Sequence, residues 1–295
     1  MNREIASTDR PVDRLARSGV LDRIADVVQP QIRALLDGTG PLAPIKDLLH
    51  GTTLRHPLHP ALTDVPIGAW TMTAVFDAIA TTGNDRFEAA ADLSLGLGIA
   101  GALAAVATGY AEWSDTSGEP KRLGMAHALT NAAALGLYLW SAGARRSGAR
   151  GVGIATAFAG YGLVSAGAYL GGELSQGYGI GSKHTTVPLE PPDDFAAVLP
   201  ERELLVNHPK RVELGGIPVL LSRDAAGIHA VSAVCTHRGA PLEQGTFADG
   251  CVTCPWHGAR FRLADGGILE GPAVYPLARF ETRERDGSIE LRAIR

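Results

Sequence analysis

The hydrophobic and polar positions of this chain fall into three regimes. From residue 1 to 50, apolar residues recur at helical spacing: Val12, Leu15, Ala16, Val20, Ile24, Val27, Val28, Ile32, Leu35 and Leu36, with Arg and Asp between them. This predicts amphipathic helix, interrupted at Pro30, that lies on a membrane surface, packs on a partner or forms a surface helix pair of a globular fold. Four nearly unbroken apolar stretches follow, at 65–82, 91–110, 125–144 and 151–170. Each approaches the ~20 residues needed to cross a bilayer. Short polar loops at 83–88, 112–122 and 145–150 separate them. Residues 186–200 are rich in Pro and Asp and read as a linker. Beyond 200 the pattern shortens to strand-length runs at 204–206, 211–214, 218–221, 228–231, 251–254, 260–263, 279–283 and 289–292, parted by Gly-containing turns.

The expected architecture is therefore multidomain: an α-helical four-span membrane bundle followed by a small all-β domain. The boundaries are 1–50 for the amphipathic segment, 51–185 for the bundle, 186–200 for the linker and 201–295 for the β domain. The spans are rich in Ala and Gly, and Gly96, Gly98, Gly101, Gly160, Gly162 and Gly167 are expected to let helices approach closely. Asp77 stands inside the first span. It reads as an intramembrane carboxylate for proton transfer, or as one reaching the far interface with Asp92.

Composition narrows the function. The net charge of −4 gives no electrostatic footprint for nucleic acid. Three cysteines in 295 residues do not make a disulfide scaffold and suit a reducing compartment. No secretory or twin-arginine signal is expected at the N-terminus.

The chemistry concentrates near the end of the chain, in Cys235-Thr236-His237-Arg238-Gly239 and Cys254-Pro255-Trp256-His257-Gly258. The pattern C-x-H-x16-C-x2-H offers two thiolates and two imidazoles as two mixed pairs. In a Rieske [2Fe–2S] centre two Cys hold one iron and two His the other. A structural zinc site uses the same donors, but commonly groups them as C-x2-4-C and H-x3-5-H. Gly239 and Gly258 stand where the backbone must turn tightly. Cys251, three residues before a ligand, reads as a buried strand thiol rather than a ligand.

With its opening strand region, "CTHRGAPLEQG", "CPWHGARF" and "GPAVYPL", the segment 201–295 resembles Rieske ferredoxins, including those that feed ring-hydroxylating dioxygenases. The resemblance implies that Cys235 and Cys254 bind one iron, that His237 and His257 bind the other, and that Gly271-Pro272 belongs to a loop covering the cluster. The histidine edges would be exposed at the tip of the domain, where a redox partner protein docks. Arg238 and Trp256 would flank them, with Trp256 either shaping the docking surface or shielding the cluster, the latter favoured. High-potential Rieske proteins carry an extra, disulfide-forming cysteine in each ligand loop, which neither loop has here, and a serine where Ala259 stands. A potential low in the ~−150 to +300 mV Rieske range is expected.

Residues 48–186 resemble a family of four-helix bacterial membrane proteins, domain of unknown function 2231. The resemblance rests on "RHPLHPALTDVPIGAW" at the start of the first span and "YLGGELSQGYGIGSKHT" at the exit of the fourth. An up-down-up-down bundle brings His56, His59, His127 and His184 to one side of the membrane, with Asn131 one turn from His127. These four histidines are candidates for a second site holding haem b or a quinone; helix capping and packing are the alternative. Basic residues flank both ends of the spans about evenly and give no orientation. The thiolate ligands place the β domain in the cytoplasm, at a bacterial cell membrane crossed several times.

The expected function is a membrane-anchored Rieske protein carrying single electrons, rather than a stand-alone enzyme. A subunit of a quinol-oxidising or haem-linked membrane system is the alternative. A Rieske oxygenase component fits less well, since no segment reads as the mixed domain that holds its mononuclear iron.

Overall fold

The computed structural model describes residues 10–38, 40–184 and 194–294. In chain order its elements are helices α1 (Pro11–Ala16), α2 (Gly19–Leu36), α3 (Lys46–His50), α4 (Leu58–Ala80), α5 (Glu88–Ser114), α6 (Gly118–Arg146) and α7 (Arg150–Gly172), then ten strands. The strands are β1 (Ala196–Pro200), β2 (Lys210–Leu214), β3 (Ile217–Asp224), β4 (Gly227–Ser232), β5 (Thr246–Ala248), β6 (Cys251–Thr253), β7 (Arg260–Arg262), β8 (Ile268–Glu270), β9 (Phe280–Arg285) and β10 (Ser288–Ala293). The chain divides into two compact units, Met1–Ala43 with Leu58–Ile180, and Pro44–Pro57 with Gly181–Arg295.

In the helical unit, α4 to α7 pack through small residues and a few large rings. Trp70 of α4 stacks on Tyr138 of α6, ring centroids 3.9 Å apart and 9° from parallel. Glycines make room on both sides. A Cβ on Gly98 of α5 would lie 2.2 Å from Trp70 Nε1, and one on Gly160 of α7 would lie 3.1 Å from Tyr138. Gly101 meets Val65 and Pro66, and Gly167 meets Asn131, in the same close manner. Gly96 and Gly162 face open space instead, so the glycine pattern overstates the tight contacts by those two positions. Asp77 is fully buried and takes both Nη groups of Arg145, which also reaches Asp92, itself paired with Arg150. These charges lie where α4 ends, α5 begins, α6 ends and α7 begins. Asp77 is thus one half of an ion pair that ties helix ends together.

The amphipathic segment packs on its own chain. Helices α1 and α2 contribute Val12, Leu21 and Ala25 to a core with Trp113, Leu123, Met125 and Leu170. Gln29 donates to the carbonyls of Trp113 and Thr116, and Arg33 to that of Ser114. Helix α2 thereby satisfies carbonyls that the C-terminus of α5 leaves open. Pro30 does not interrupt α2 as expected. The break falls earlier, at Ser18, whose hydroxyl caps α2 by accepting from the Leu21 amide.

The β unit contains three antiparallel sheets, ordered β1-β10-β9, β2-β3-β4 and β5-β6-β7-β8. Strand β3 is buried on both faces. Leu220 enters one core, with Val231, Val252 and Phe261; Val219 and Leu221 enter the other, with Val212, Ile289 and Leu291. That alternation is the period of two at work. Residues 186–193 of the expected linker lie outside the described residues. Its last five residues form β1, which pairs with β10. The expected strand at 204–206 is a turn: Leu205 and Val206 are exposed, and Asn207 at φ +60° bends the chain away. Strands β5 and β8, of three residues each, carry too little pattern to have been foreseen.

Candidate metal centre

Two loops of the β unit are built alike. The first follows β4 and runs Cys235-Thr236-His237-Arg238-Gly239-Ala240. The second joins β6 to β7 and runs Cys254-Pro255-Trp256-His257-Gly258-Ala259. In each, the Cys amide donates to the Ala carbonyl five residues on, at 2.9 and 2.8 Å. The Gly amide donates back to the Cys carbonyl, at 2.9 and 3.2 Å. Gly239 at φ +75° and Gly258 at φ +73° occupy left-handed backbone that suits glycine. The amides two and three residues after each cysteine donate to its sulfur: His237 and Arg238 to Cys235, Trp256 and His257 to Cys254. The two loops are one knuckle used twice. The histidine is second after the cysteine in one and third in the other.

This repeat presents its donors as like pairs. Cys235 and Cys254 are buried, carry no disulfide and lie within hydrogen-bond reach of each other. That contact pushes Cys254 down to about 6, helped by the Trp256 and His257 amides; the same contact and burial push Cys235 up. Two buried thiols so placed can form two metal–sulfur bonds. The rings of His237 and His257 stand 5.0 Å apart at 85°, and both histidines are half-buried. Among the described residues no three such donors converge on a single ion; a thiol pair and an imidazole pair on the same two loops fit instead a cluster with one iron on sulfur and one on nitrogen.

Comparison with known proteins agrees. Residues 194–281 match the model of the Rieske [2Fe-2S] domain. Ferredoxin CarAc of Metapseudomonas resinovorans is 30% identical over 76 residues, 26% of this chain and 71% of that protein. The chain belongs to the Rieske [2Fe–2S] family. Apoptosis-inducing factor 3 of Homo sapiens is 36% identical over 111 residues, 37% of this chain; the chain spans only 18% of that relative. Among solved structures, the ferredoxin of carbazole 1,9a-dioxygenase from Nocardioides aromaticivorans IC177 aligns with a TM-score of 0.32 and 24% identity, covering 34% of this chain and 98% of that one. Residues 55–184 match a second family, described as predicted membrane protein (DUF2231).

As a Rieske domain, the β unit implies a [2Fe–2S] cluster. Trp256 stands in the second of the two loops. This ring is 55% exposed and stands edge-on to His257, centroids 6.4 Å apart. Trp256 therefore lies at the surface beside His257. Cys251 lies buried in β6, its thiol donating to the Asp249 carbonyl at 3.4 Å. Ala259 is buried and brings no hydroxyl to the second knuckle.

The four histidines expected to form a second site do not form one group. His59 and His127 come together in the helical unit, rings 6.5 Å apart and nearly perpendicular. His59 Nδ1 donates to the Ala105 carbonyl of α5, and His127 Nδ1 to the Gly167 carbonyl of α7, each at 2.9 Å. Asn131 donates to the His127 carbonyl one turn back. His56 and His184 belong to the β unit instead. His56 Nδ1 bonds the Pro57 carbonyl. The His184 amide donates to the Thr236 carbonyl at 3.1 Å, beside the first knuckle. Sequence order hides this division, because His56 and His59 are three residues apart yet fold into different units.

Proposed function

We propose that this chain is a membrane-anchored Rieske protein that carries single electrons to or from a protein partner. The observation that carries the reading is the doubled knuckle, which sets two buried thiols beside two half-buried imidazoles, with exposed Trp256 at their side. A [2Fe–2S] cluster held by Cys235, Cys254, His237 and His257 supplies a one-electron couple. The cysteines tie the site into the core. The histidines and Trp256 form the face on which a redox partner docks.

Anchoring in the lipid bilayer is supported by what the helices leave outside. Two helical stretches, Asp85–Ser114 and Arg150–Gly177, are long and apolar enough to cross a membrane. The other two long helices miss that composition but have the same inside-out character. Met72 and Val75 on α4, Leu93 and Leu97 on α5, Leu139 and Trp140 on α6, and Val152 and Phe158 on α7 are all exposed, while Ala69, Ala102, Ala134 and Ala157 are buried. Large apolar side chains outward and small ones inward suit lipid rather than water. All four helices then span, and the β domain lies on the cytoplasmic side. Optical and EPR spectra of detergent-purified protein, oxidised and dithionite-reduced, test the cluster; a preparation with zinc and no Rieske signal refutes it.

A second reading has its own observation. His59 and His127 each commit Nδ1–H to a carbonyl, which leaves Nε2 as the lone-pair nitrogen of each ring, that of His127 with the Asn131 amide nitrogen 3.3 Å away. A haem b or a quinone between them would make the bundle part of the electron path. A Soret band that shifts on reduction and disappears in H59A or H127A supports haem; extraction of a quinone from wild type but not from these variants supports quinone.

A further inference from the structure

Residues 44–57 form a strap between α2 and α4 that packs within the β unit. Most of it, 44–54, lies outside both regions matched to known families. Its Asp47 Oδ1 accepts the amide of Gly271 at 2.9 Å. The Thr52 amide donates to the Asp47 carbonyl at 2.8 Å, and Gly51 at φ +83° ends α3 between them. The strap presses close: a Cβ on Gly271 would lie 2.4 Å from Thr52 Oγ1 and 2.7 Å from Asp47 Oδ1. Further along, Arg55 and Pro276 line one cavity. The strap therefore bonds the start of loop 271–276 and faces its end across a cavity.

That loop is tied to the ligands. The Thr236 hydroxyl, next to Cys235, donates to the Tyr275 carbonyl. Ala273 packs in the same core as Cys235 and Cys254. Loop 271–276 is thus tied at Gly271 to the strap and at Tyr275 to the first knuckle, with Ala273 in the core between them. The Asp47 carboxylate also adds a negative charge one hydrogen bond from the loop.

We propose that Asp47 is a positioning residue for the metal centre: the strap clamps loop 271–276 over the cluster and lowers its reduction potential. This rests on the Rieske reading given above. The charge opposes uptake of an electron, and the hydrogen bond fixes the loop.

The test compares D47N and D47A with wild type in the full-length, cluster-loaded protein, by redox titration followed by EPR. In D47N an amide oxygen can still accept from Gly271 while the charge is gone. The expected result is a higher midpoint potential with an unchanged reduced line shape. In D47A the clamp is lost as well, so the potential rises, the lines shift or broaden, and the strap becomes more sensitive to protease. Should D47A fail to fold, D47N alone still decides the electrostatic part. Potentials and line shapes equal to wild type in these variants overturn the proposal. Absence of a reduced Rieske signal in wild type overturns the cluster reading and the clamp together.

Discussion

Asp77 on α4 receives the guanidinium of Arg145 from α6 in a pair whose side chains are 0% and 3% exposed. Removing one partner leaves the other charge buried with a single remaining neighbour, Asp92 for Arg145 or Arg150 for Asp77, which costs up to roughly 3–5 kcal/mol, whereas replacing both with apolar groups of similar size can be neutral or stabilising. D77A should therefore lower the thermal midpoint of the detergent-solubilised protein sharply, and D77L combined with R145M should recover most of the loss. If Asp77 carried protons, the double replacement would abolish turnover-linked proton movement while stability returned. The ion-pair geometry predicts that electron transfer survives in the double variant.

Glycines on α5 give a paired test of opposite sign. Gly98 lies against Trp70, so an added methyl must displace a ring already stacked on Tyr138. G98A should destabilise the helical unit by about 1–3 kcal/mol through overpacking. Gly96 has nothing within 4 Å. G96A should be neutral or stabilising, by up to about 1 kcal/mol of helix propensity. Denaturation of both variants in the same detergent checks the contrast; equal losses would mean that α5 is rotated from the face described here.

The ligand loops predict which cysteines matter for iron. C235S, C254S, H237A and H257A each remove a donor from the doubled knuckle and should lose the reduced Rieske signal, with iron falling from about two atoms per chain toward none. C251S removes a thiol that donates to the Asp249 carbonyl and lies beside Arg260, away from the paired cysteines. It should keep both iron and signal. W256A leaves the ligands in place, so its potential should move little. Its rate of electron exchange with a protein partner should fall, because the exposed ring beside His257 is lost.

What the sequence carried, and what it did not, follows from distance along the chain. The metal-binding pattern is local: each knuckle spans six residues, and its Cys, His, Gly and Ala can be read off directly. Even so, the identity of the two loops as one repeated turn is clearer in their matched hydrogen bonds than in their spacing, because the histidine shifts by one. Strand β1 was hidden, since Pro191, Pro192 and two aspartates precede it and its partner β10 lies about ninety residues on. Pro30 reads as a break, yet Gln29 and Arg33 are held by carbonyls at the end of α5 and the helix continues between them. Tertiary contacts there override local preference. The strap had no signal at all. Asp47 and Gly271 are more than two hundred residues apart, and nothing in the composition of either neighbourhood announces the pairing.

Cluster removal should separate the two units. A metal bound only by the folded state adds its binding free energy to folding, and that contribution disappears when the metal is stripped. In the β unit the knuckles sit on the core formed by Leu220, Val252 and Phe261, so loss of the cluster leaves two thiols and two imidazoles unbridged within it. The helical unit has cores of its own around Trp70 with Tyr138, and around Trp113 with Leu123. Chelation under reducing conditions should therefore lower the melting temperature of the β unit and expose it to protease between β4 and β7. The helical far-UV signal and its midpoint should stay close to those of the loaded protein. Loss of both transitions together after chelation would show that the helices depend on the metal centre for their stability, against the division into two units.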